Sequence, residues 1–174
     1  MKLLKELITK RLVLRAFVLD DLDDFYDYAK NPIVGPMAGW KPHEAKKDTL
    51  VILKNFIKKQ EVWALCLKDT GQVIGSIGVH KKSIKPIYEL GYVLAMEQWG
   101  KGLICEACKE IIDYVFAEMG VQELIVEHFI SNTQSRRVIE KLGFKFQKEV
   151  KNCFTMYNGV KQDCRRYTIE RGEV

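Results

Sequence analysis

The sequence predicts a mixed α/β domain, and three observations lead to this prediction. The chain has 174 residues, 47% hydrophobic and 29% charged, which matches one globular domain in size and composition. β-rich runs alternate with segments whose apolar residues recur at helical spacing. No linker, repeat or low-complexity tract interrupts this order. We therefore expect a single domain over residues 1–174.

The first half of the chain predicts a strand, two helices and a hairpin. The strand covers 11–17, and an acidic first turn at Asp20 opens a helix that runs to about Lys30. Residues 31–42 hold three of the four prolines and are expected to form a loop. A helix follows over 43–59. Two β-rich runs then flank a turn at Thr70-Gly71, which is typical of a hairpin.

The second half predicts a third strand over 87–95, a helix, a buried strand, a short helix and a final hairpin. The long helix follows Gly100-Lys101-Gly102 and ends at Gly120. The buried strand covers 124–130. Asn132 is a good N-cap for the short helix, which ends before Gly143. Asn158-Gly159 joins the last two strands.

Composition disfavours the membrane and secreted classes. No apolar run approaches the ~18–20 residues of a membrane span, and the first residues lack the apolar core of a signal peptide. We expect a soluble cytoplasmic protein with no membrane partner. The five cysteines should then be reduced and mostly buried, and the Cys105-x-x-Cys108 pair is interpreted as packing rather than as a redox or metal pair.

The net charge of +5 lies in the last quarter of the chain. Residues 131–174 hold 10 Lys and Arg against 5 Asp and Glu, whereas the two signs cancel over residues 1–130. A local basic field attracts anionic ligands such as a phosphate-bearing cofactor or RNA. A solvated face without a partner would carry the same charge, and charge alone does not distinguish the two.

The turn at Gly100 and Gly102 is the strongest sign of a ligand site. A strand leads through this turn directly into a helix, whose first N–H groups and dipole favour an anion such as a diphosphate. An ordinary tight turn before a core helix would have the same sequence. Neither G-x-x-x-x-G-K-[ST] nor G-x-G-x-x-G occurs here, which argues against triphosphatase and dinucleotide folds.

Several segments together resemble the GNAT superfamily of acetyl-CoA-dependent N-acetyltransferases, and more narrowly its ribosomal-protein N-terminal acetyltransferase branch. They are Q-W-G-K-G-L-I-C-E-A at 98–107, N-x-x-S-x-R-V-I-E-K-L-G-F from Asn132, T-x-R-L-V-L-R from Thr9, E-L-G-Y from Glu89 and Y-N-G-x-x-x-D from Tyr157. The resemblance implies a mostly antiparallel sheet with a central splayed parallel strand pair, flanked by helices. It also implies acetyl-CoA as co-substrate and no metal.

The resemblance also implies which residues hold the co-substrate. The strand through Val93 and Leu94 should bind the pantetheine arm, and Asn132 should contact the same arm. Backbone N–H groups of the turn should hold the diphosphate; its residues are Trp99, Gly100, Lys101, Gly102, Leu103 and Ile104. Ile104 departs from the Gly or Ala of the family pattern, which predicts a tighter fit.

Two residues are candidates for proton transfer. Many superfamily members carry a tyrosine acid at the position of Ile139, and in the resembled branch a serine at the position of Ser135 serves instead. Ser135 is therefore the candidate acid, although a helix-capping role would also explain it. Glu89, on the strand expected to hold the thioester, is the candidate base. An ion-paired strand glutamate is the alternative interpretation.

The acceptor side is less determined by the sequence. Trp40 and His43 are expected to border the acceptor cleft, although both residue types also serve as packing anchors. The expected acceptor is a protein N-terminal α-amine, and a small amine is the alternative. A CoA-binding sensor or a ribosome-binding or RNA-binding domain is the non-catalytic alternative. No aromatic RNA-binding motif is visible, so direct nucleic-acid binding is not expected. Both a monomer and a homodimer fit.

Overall fold

The computed structural model of the protein describes residues 4–173 and places eight strands in one sheet. The spatial order is β1-β2-β3-β4-β5-β6-β8-β7. The strands are β1 (Leu7–Ile8), β2 (Leu12–Ala16), β3 (Val62–Leu67), β4 (Val73–Lys81), β5 (Ile87–Leu94), β6 (Glu123–Phe129), β7 (Lys145–Thr155) and β8 (Lys161–Glu170). All neighbours are antiparallel except β5 and β6, which run parallel. The predicted fold class is confirmed.

The described residues also form α-helices that pack around this sheet. They are α1 (Leu22–Ala29), α2 (Val34–Met37), α3 (Lys46–Lys59), α4 (Leu103–Glu118) and α5 (Thr133–Lys141). The longest, α4, buries the apolar stripe that the sequence predicts, with Ala107, Cys108 and Ile111 fully inaccessible. It ends before Gly120, whose φ of +70° stops the helix. No helix in the described part of the chain is long and apolar enough to cross a membrane.

The parallel pair separates soon after it begins. Its pairing runs from Ile87 opposite Glu123 to Glu89 opposite Ile125 and then ends. Beyond this point β5 stays paired with β4 as far as Leu94, while β6 stays paired with β8. Because each strand keeps only its outer neighbour, a wedge opens between them, as the resemblance implied.

Some element boundaries differ from those predicted. Helix α3 begins at Lys46 rather than at residue 43, because the Asp48 carboxylate accepts the Ala45 N–H at 3.0 Å and fixes the first turn there. The predicted loop over 31–42 contains the short helix α2. Pro36 lies in its first turn, where a missing N–H costs no helical hydrogen bond. The two-residue strand β1 was not predicted.

The prediction that all five cysteines are reduced is wrong for two of them. Cys153 on β7 and Cys164 on β8 form a disulfide, with their Cα atoms 5.8 Å apart. The pairing depends on the bulged register of these two strands, which the sequence does not specify. Cys66, Cys105 and Cys108 are free, and the burial of Cys108 agrees with the packing interpretation of the C-x-x-C pair.

Candidate active site

The turn between β5 and α4 leaves a row of amides without protein partners. Gly100 and Gly102 have φ angles of +76° and +75°, the left-handed region that glycine adopts without strain. Within residues 4–173, none of the N–H groups of residues 100–104 donates a hydrogen bond to the protein. They lie at the N-terminus of the 16-residue helix α4, where the dipole favours negative charge. The arrangement is therefore a cradle for an anion.

The cradle is held in place by the connection between β1 and β2, which contains Thr9 and Arg11. Arg11 donates from its guanidinium to the Lys101 carbonyl at 2.9 Å and to the Glu106 carboxylate at 2.7 Å. Glu106 also accepts from the Thr9 hydroxyl and from the Arg11 backbone N–H. Burial opposes the charged carboxylate, but these hydrogen bonds outweigh it and lower the pKa of Glu106. The turn is thus held in shape before any ligand binds.

Ile104 fits at the start of α4 despite its size. It is only 6% exposed and packs against the core, while also contributing to the wall of the cavity in the wedge. Its own N–H is among those without a partner. The departure from the family's Gly or Ala is therefore accommodated in the core.

A cavity of about 680 Å³ occupies the wedge between β5 and β6. It brings together most of the residues that the sequence predicted. Those lining it are Trp40, Glu89, Val93, Leu94, Trp99, Gly100, Gly102, Leu103, Ile104, Asn132 and Ser135. Lys101 and His43 do not line it. The Trp99 indole donates to the Leu94 carbonyl at 2.9 Å and so ties the end of β5 to the turn.

Lys101 and His43 lie beside the cavity. The Lys101 ammonium donates to Gln98 at 2.9 Å on the surface of the turn. His43 packs between the Trp40 and Phe25 rings and shares a 2.8 Å hydrogen bond with the Thr49 hydroxyl. Burial lowers the pKa of His43, which favours its neutral form. Contact between His43 and an acceptor stays a prediction.

Asn132 caps α5 as the sequence predicted, and its side chain also contacts the last residue of α2. Its carboxamide oxygen accepts the Ser135 N–H at 3.0 Å, and its nitrogen donates to the Met37 carbonyl at 3.3 Å. One side chain therefore connects the start of α5 with the end of α2. The Ser135 hydroxyl, held by this cap, lies on the cavity wall.

Sequence reasoning missed Tyr92 as a site residue. Its phenolic oxygen is 2.8 Å from the Ser135 hydroxyl and 3.2 Å from the Ser135 carbonyl. Burial raises the pKa of Tyr92, only partly offset by the bond with Ser135. Strand alternation puts Tyr92 on the face opposite Glu89, and that face is now seen to meet α5.

Glu89 lies where the main cavity meets a smaller pocket of about 220 Å³. Its carboxylate pairs with the Lys82 ammonium at 2.6 Å and is partly exposed. A second carboxylate, Glu127 on β6, lines the same pocket and is held by Arg166 at 2.6 Å. The remaining lining is apolar or sulfur-containing apart from His128. The pocket therefore offers carboxylates beside apolar walls, a setting suited to an amine.

Half of the ten Lys and Arg side chains of the last quarter form ion pairs within the protein. Ion pairs join five of its cations to carboxylates: Lys145 to Glu173, Lys151 to Asp163, Arg165 to Glu149, Arg166 to Glu127 and Arg136 to Glu140. Arg137 and Lys141 on α5 line the cavity and form no ion pair among the described residues. They are the cations placed to meet an anionic ligand.

Comparison with known proteins agrees with this geometry. A family model described as an acetyltransferase (GNAT) domain matches residues 11–145. The uncharacterized N-acetyltransferase YoaA of Bacillus subtilis is 28% identical over 168 residues, covering 92% of this chain and 94% of that protein. A GNAT-family acetyltransferase from Bacillus anthracis superposes with a TM-score of 0.89 at 24% identity, covering 96% of this chain and 99% of that one. The ribosomal-protein-S5-alanine acetyltransferase of Vibrio fischeri gives 0.77 at 20% identity, with 97% of each chain covered.

The fold, the anion cradle and these matches define an acyltransferase. More specifically, the chain belongs to the GNAT family of acetyltransferases, as the sequence resemblance predicted. Members of this family use acetyl-CoA as co-substrate.

Proposed function

We propose that the protein transfers the acetyl group of acetyl-CoA to a primary amine, by direct attack of the amine in a ternary complex. The observation that carries this proposal is the row of unpartnered amides at residues 100–104, beside the open edge of β5. The amides suit the diphosphate of CoA because a helix N-terminus with free N–H groups binds phosphate. Arg137 and Lys141 add positive charge along the same cavity.

We place the pantetheine arm of acetyl-CoA along the open edge of β5. Residues 90–94 have a strand neighbour on one side only. Pantetheine carries amide groups that can take the place of the missing strand, which satisfies backbone groups that burial would otherwise leave unpaired. In this position the thioester lies near Leu94, whose N–H would stabilise the developing oxyanion.

The acceptor amine would enter from the pocket that holds Glu89 and Glu127. We assign proton removal from the attacking nitrogen to Glu89, directly or through a water molecule. An α-amine of pKa ~8 is about one-tenth neutral at pH 7, whereas a lysine amine of pKa ~10.4 is neutral at less than about one part in a thousand. A side-chain carboxylate is a weak base in general. An acceptor that is already partly neutral requires less of Glu89, so an α-amine suits this site better.

A protein N-terminus is accordingly the proposed acceptor. Its α-amine is partly neutral at pH 7, so a carboxylate is a sufficient base for it. The structurally similar Vibrio fischeri protein is named for acetylation of a ribosomal protein. The Met37 and Phe154 side chains at the pocket are 43% and 42% exposed, which leaves apolar surface for the residue that carries the amine.

The test is to incubate the protein with acetyl-CoA and a panel of N-terminal peptides and small amines, and to follow release of the CoA thiol. We expect thiol release with peptides and little with polyamines or amino sugars. Faster transfer to small amines would replace the proposed acceptor. Tight CoA binding without transfer to any amine would instead indicate a sensor.

The assignment of Glu89 is tested with Glu89→Gln. We expect kcat to fall by roughly 10²-fold or more and the pH–rate profile to change, because general-base catalysis typically contributes this much. Glu149→Gln is the matched control: Glu149 is also an ion-paired strand glutamate, but it lies outside the cavity. An unchanged profile in Glu89→Gln would remove Glu89 from this role.

A further inference from the structure

Tyr92 and Ser135 form a hydroxyl pair that joins the two sides of the wedge. Tyr92 belongs to the part of β5 that has separated from β6, and Ser135 belongs to the first turn of α5. Their side-chain oxygens are 2.8 Å apart, and both residues line the main cavity. The contact therefore lies on the wall along which we place the pantetheine arm.

The local geometry allows the Tyr92 phenol to donate to the Ser135 hydroxyl. The two hydroxyl oxygens are 2.8 Å apart, within reach for either to donate, and the phenol also lies 3.2 Å from the Ser135 carbonyl. When the phenol donates to the hydroxyl oxygen, the serine proton is free to turn into the cavity. A thiolate there would draw that proton more strongly than a neutral phenol oxygen does, since hydrogen bonds to ionised acceptors are roughly twice as strong.

The surroundings of Tyr92 keep its proton in place. Burial disfavours the phenolate and raises the pKa of Tyr92, so the phenol remains a donor at neutral and mildly basic pH. Helix α5 adds no other hydroxyl one turn further on, because Ile139 occupies that position and is fully buried. Asn132 meanwhile holds the Ser135 backbone by accepting its N–H.

We propose that Tyr92 is a positioning residue for thiolate departure: its O–H donates to the Ser135 hydroxyl oxygen and directs the Ser135 proton to the CoA sulfur. The inference rests on the proposed function. The N–C bond forms as the amine gives a proton to Glu89, the C–S bond breaks, and the electron pair of the C–S bond stays on sulfur. The Ser135 proton passes to that sulfur, and the proton held by Glu89 then returns to Ser135 through water. Tyr92 keeps its own proton. Its hydrogen bond to the Ser135 oxygen polarises the Ser135 O–H and makes it a stronger donor to sulfur.

The test is a double-mutant cycle with Tyr92→Phe and Ser135→Ala. We expect Tyr92→Phe to lower kcat about tenfold with both KM values unchanged, because only the orientation of the proton is lost. In the Ser135→Ala background the same change should have no further effect, because Tyr92 acts through the hydroxyl. In a Ser135→Thr background, which keeps a hydroxyl, the tenfold loss should return.

Tyr88→Phe is the matched control, since Tyr88 lies on the same face of β5 and does not line the cavity. We expect its kcat to equal that of the wild type. A wild-type kcat in Tyr92→Phe would overturn the inference, and so would an undiminished loss in the Ser135→Ala background. A raised KM for acetyl-CoA with unchanged kcat would indicate that Tyr92 only shapes the wedge, and would also overturn it.

A second measurement separates this inference from the proposed function, because it needs no acetyl transfer. The thiol pKa of bound CoA is obtained from the pH dependence of CoA binding to the wild type and to Tyr92→Phe. We expect a lower thiol pKa in the wild type, because the hydroxyl pair stabilises the thiolate. Equal values overturn the role of Tyr92 even in an active enzyme. Failure of CoA to bind the wild type would overturn both proposals.

Discussion

Replacing Gly100 by alanine tests whether the free amides bind the diphosphate. An added Cβ at Gly100 meets no atom within 4 Å, so the substitution causes no collision. Its cost is the left-handed backbone, with a φ of +76°, which disfavours alanine by about 1–2 kcal/mol. The turn can relieve this strain by rotating away from the left-handed region. Such rotation turns amides away from the ligand.

The expected loss of affinity follows from the number of amides lost. A hydrogen bond to a charged group contributes about 1.5–3 kcal/mol, so losing one amide–phosphate bond weakens CoA binding by roughly tenfold to more than a hundredfold. Isothermal titration with CoA measures this loss, and urea unfolding measures the backbone cost separately. We expect both effects in Gly100→Ala.

Gly71→Ala provides the matched control for backbone strain. Gly71 has a φ of +74°, an added Cβ there also meets nothing within 4 Å, and it lies in the β3–β4 turn outside the cavity. Both variants should lose about 1–2 kcal/mol of unfolding free energy, but only Gly100→Ala should lose CoA affinity. Wild-type CoA affinity in Gly100→Ala would refute the cradle as the diphosphate site.

Three further predictions concern the supports of the site. Arg11→Lys keeps the charge but loses the bond to the Lys101 carbonyl, and we expect CoA to bind severalfold more weakly by titration. The pKa of Glu106 is lowered in the fold, so the ionised Glu106 stabilises the protein above pH 4.5, and this stabilisation is lost as the pH falls further. The difference in unfolding free energy between the wild type and Glu106→Gln, measured with urea, should therefore shrink below that pH. Replacing Cys153 and Cys164 by serine should lower the unfolding free energy by about 2–3 kcal/mol, whereas reductant should leave the double variant unchanged.

Local features of the fold were predictable because each depends on neighbouring residues. The Asn132 cap follows from a carboxamide three residues before an available N–H, and the helix stop at Gly120 follows from its backbone freedom. The open turn at Gly100 and Gly102 was predictable for the same reason, because it depends on the backbone freedom of its own two glycines. Each of these features is decided within a few residues of the chain.

Contacts between distant parts of the chain could not be predicted in the same way. Tyr92 and Ser135 are 43 residues apart, and their contact exists only because β5 and α5 meet across the wedge. The pairing of Cys153 with Cys164 depends on a bulged strand register that alternation does not reveal. The Arg11 clamp on Glu106 spans 95 residues. The sequence indicates which residue types are available, and the topology decides which of them meet.

The incomplete pairing of β5 links stability to function. A fully paired β5–β6 ladder would satisfy more backbone groups and stabilise the sheet, but it would remove the cavity. The fold instead ends that ladder at Glu89 and Ile125 and places the anion cradle at the far end of the same strand. The groups left open on β5 need partners, and an extended ligand with its own amides and an anionic end supplies them along one continuous path. We therefore expect CoA, bound as proposed, to complete the sheet along this unpaired edge.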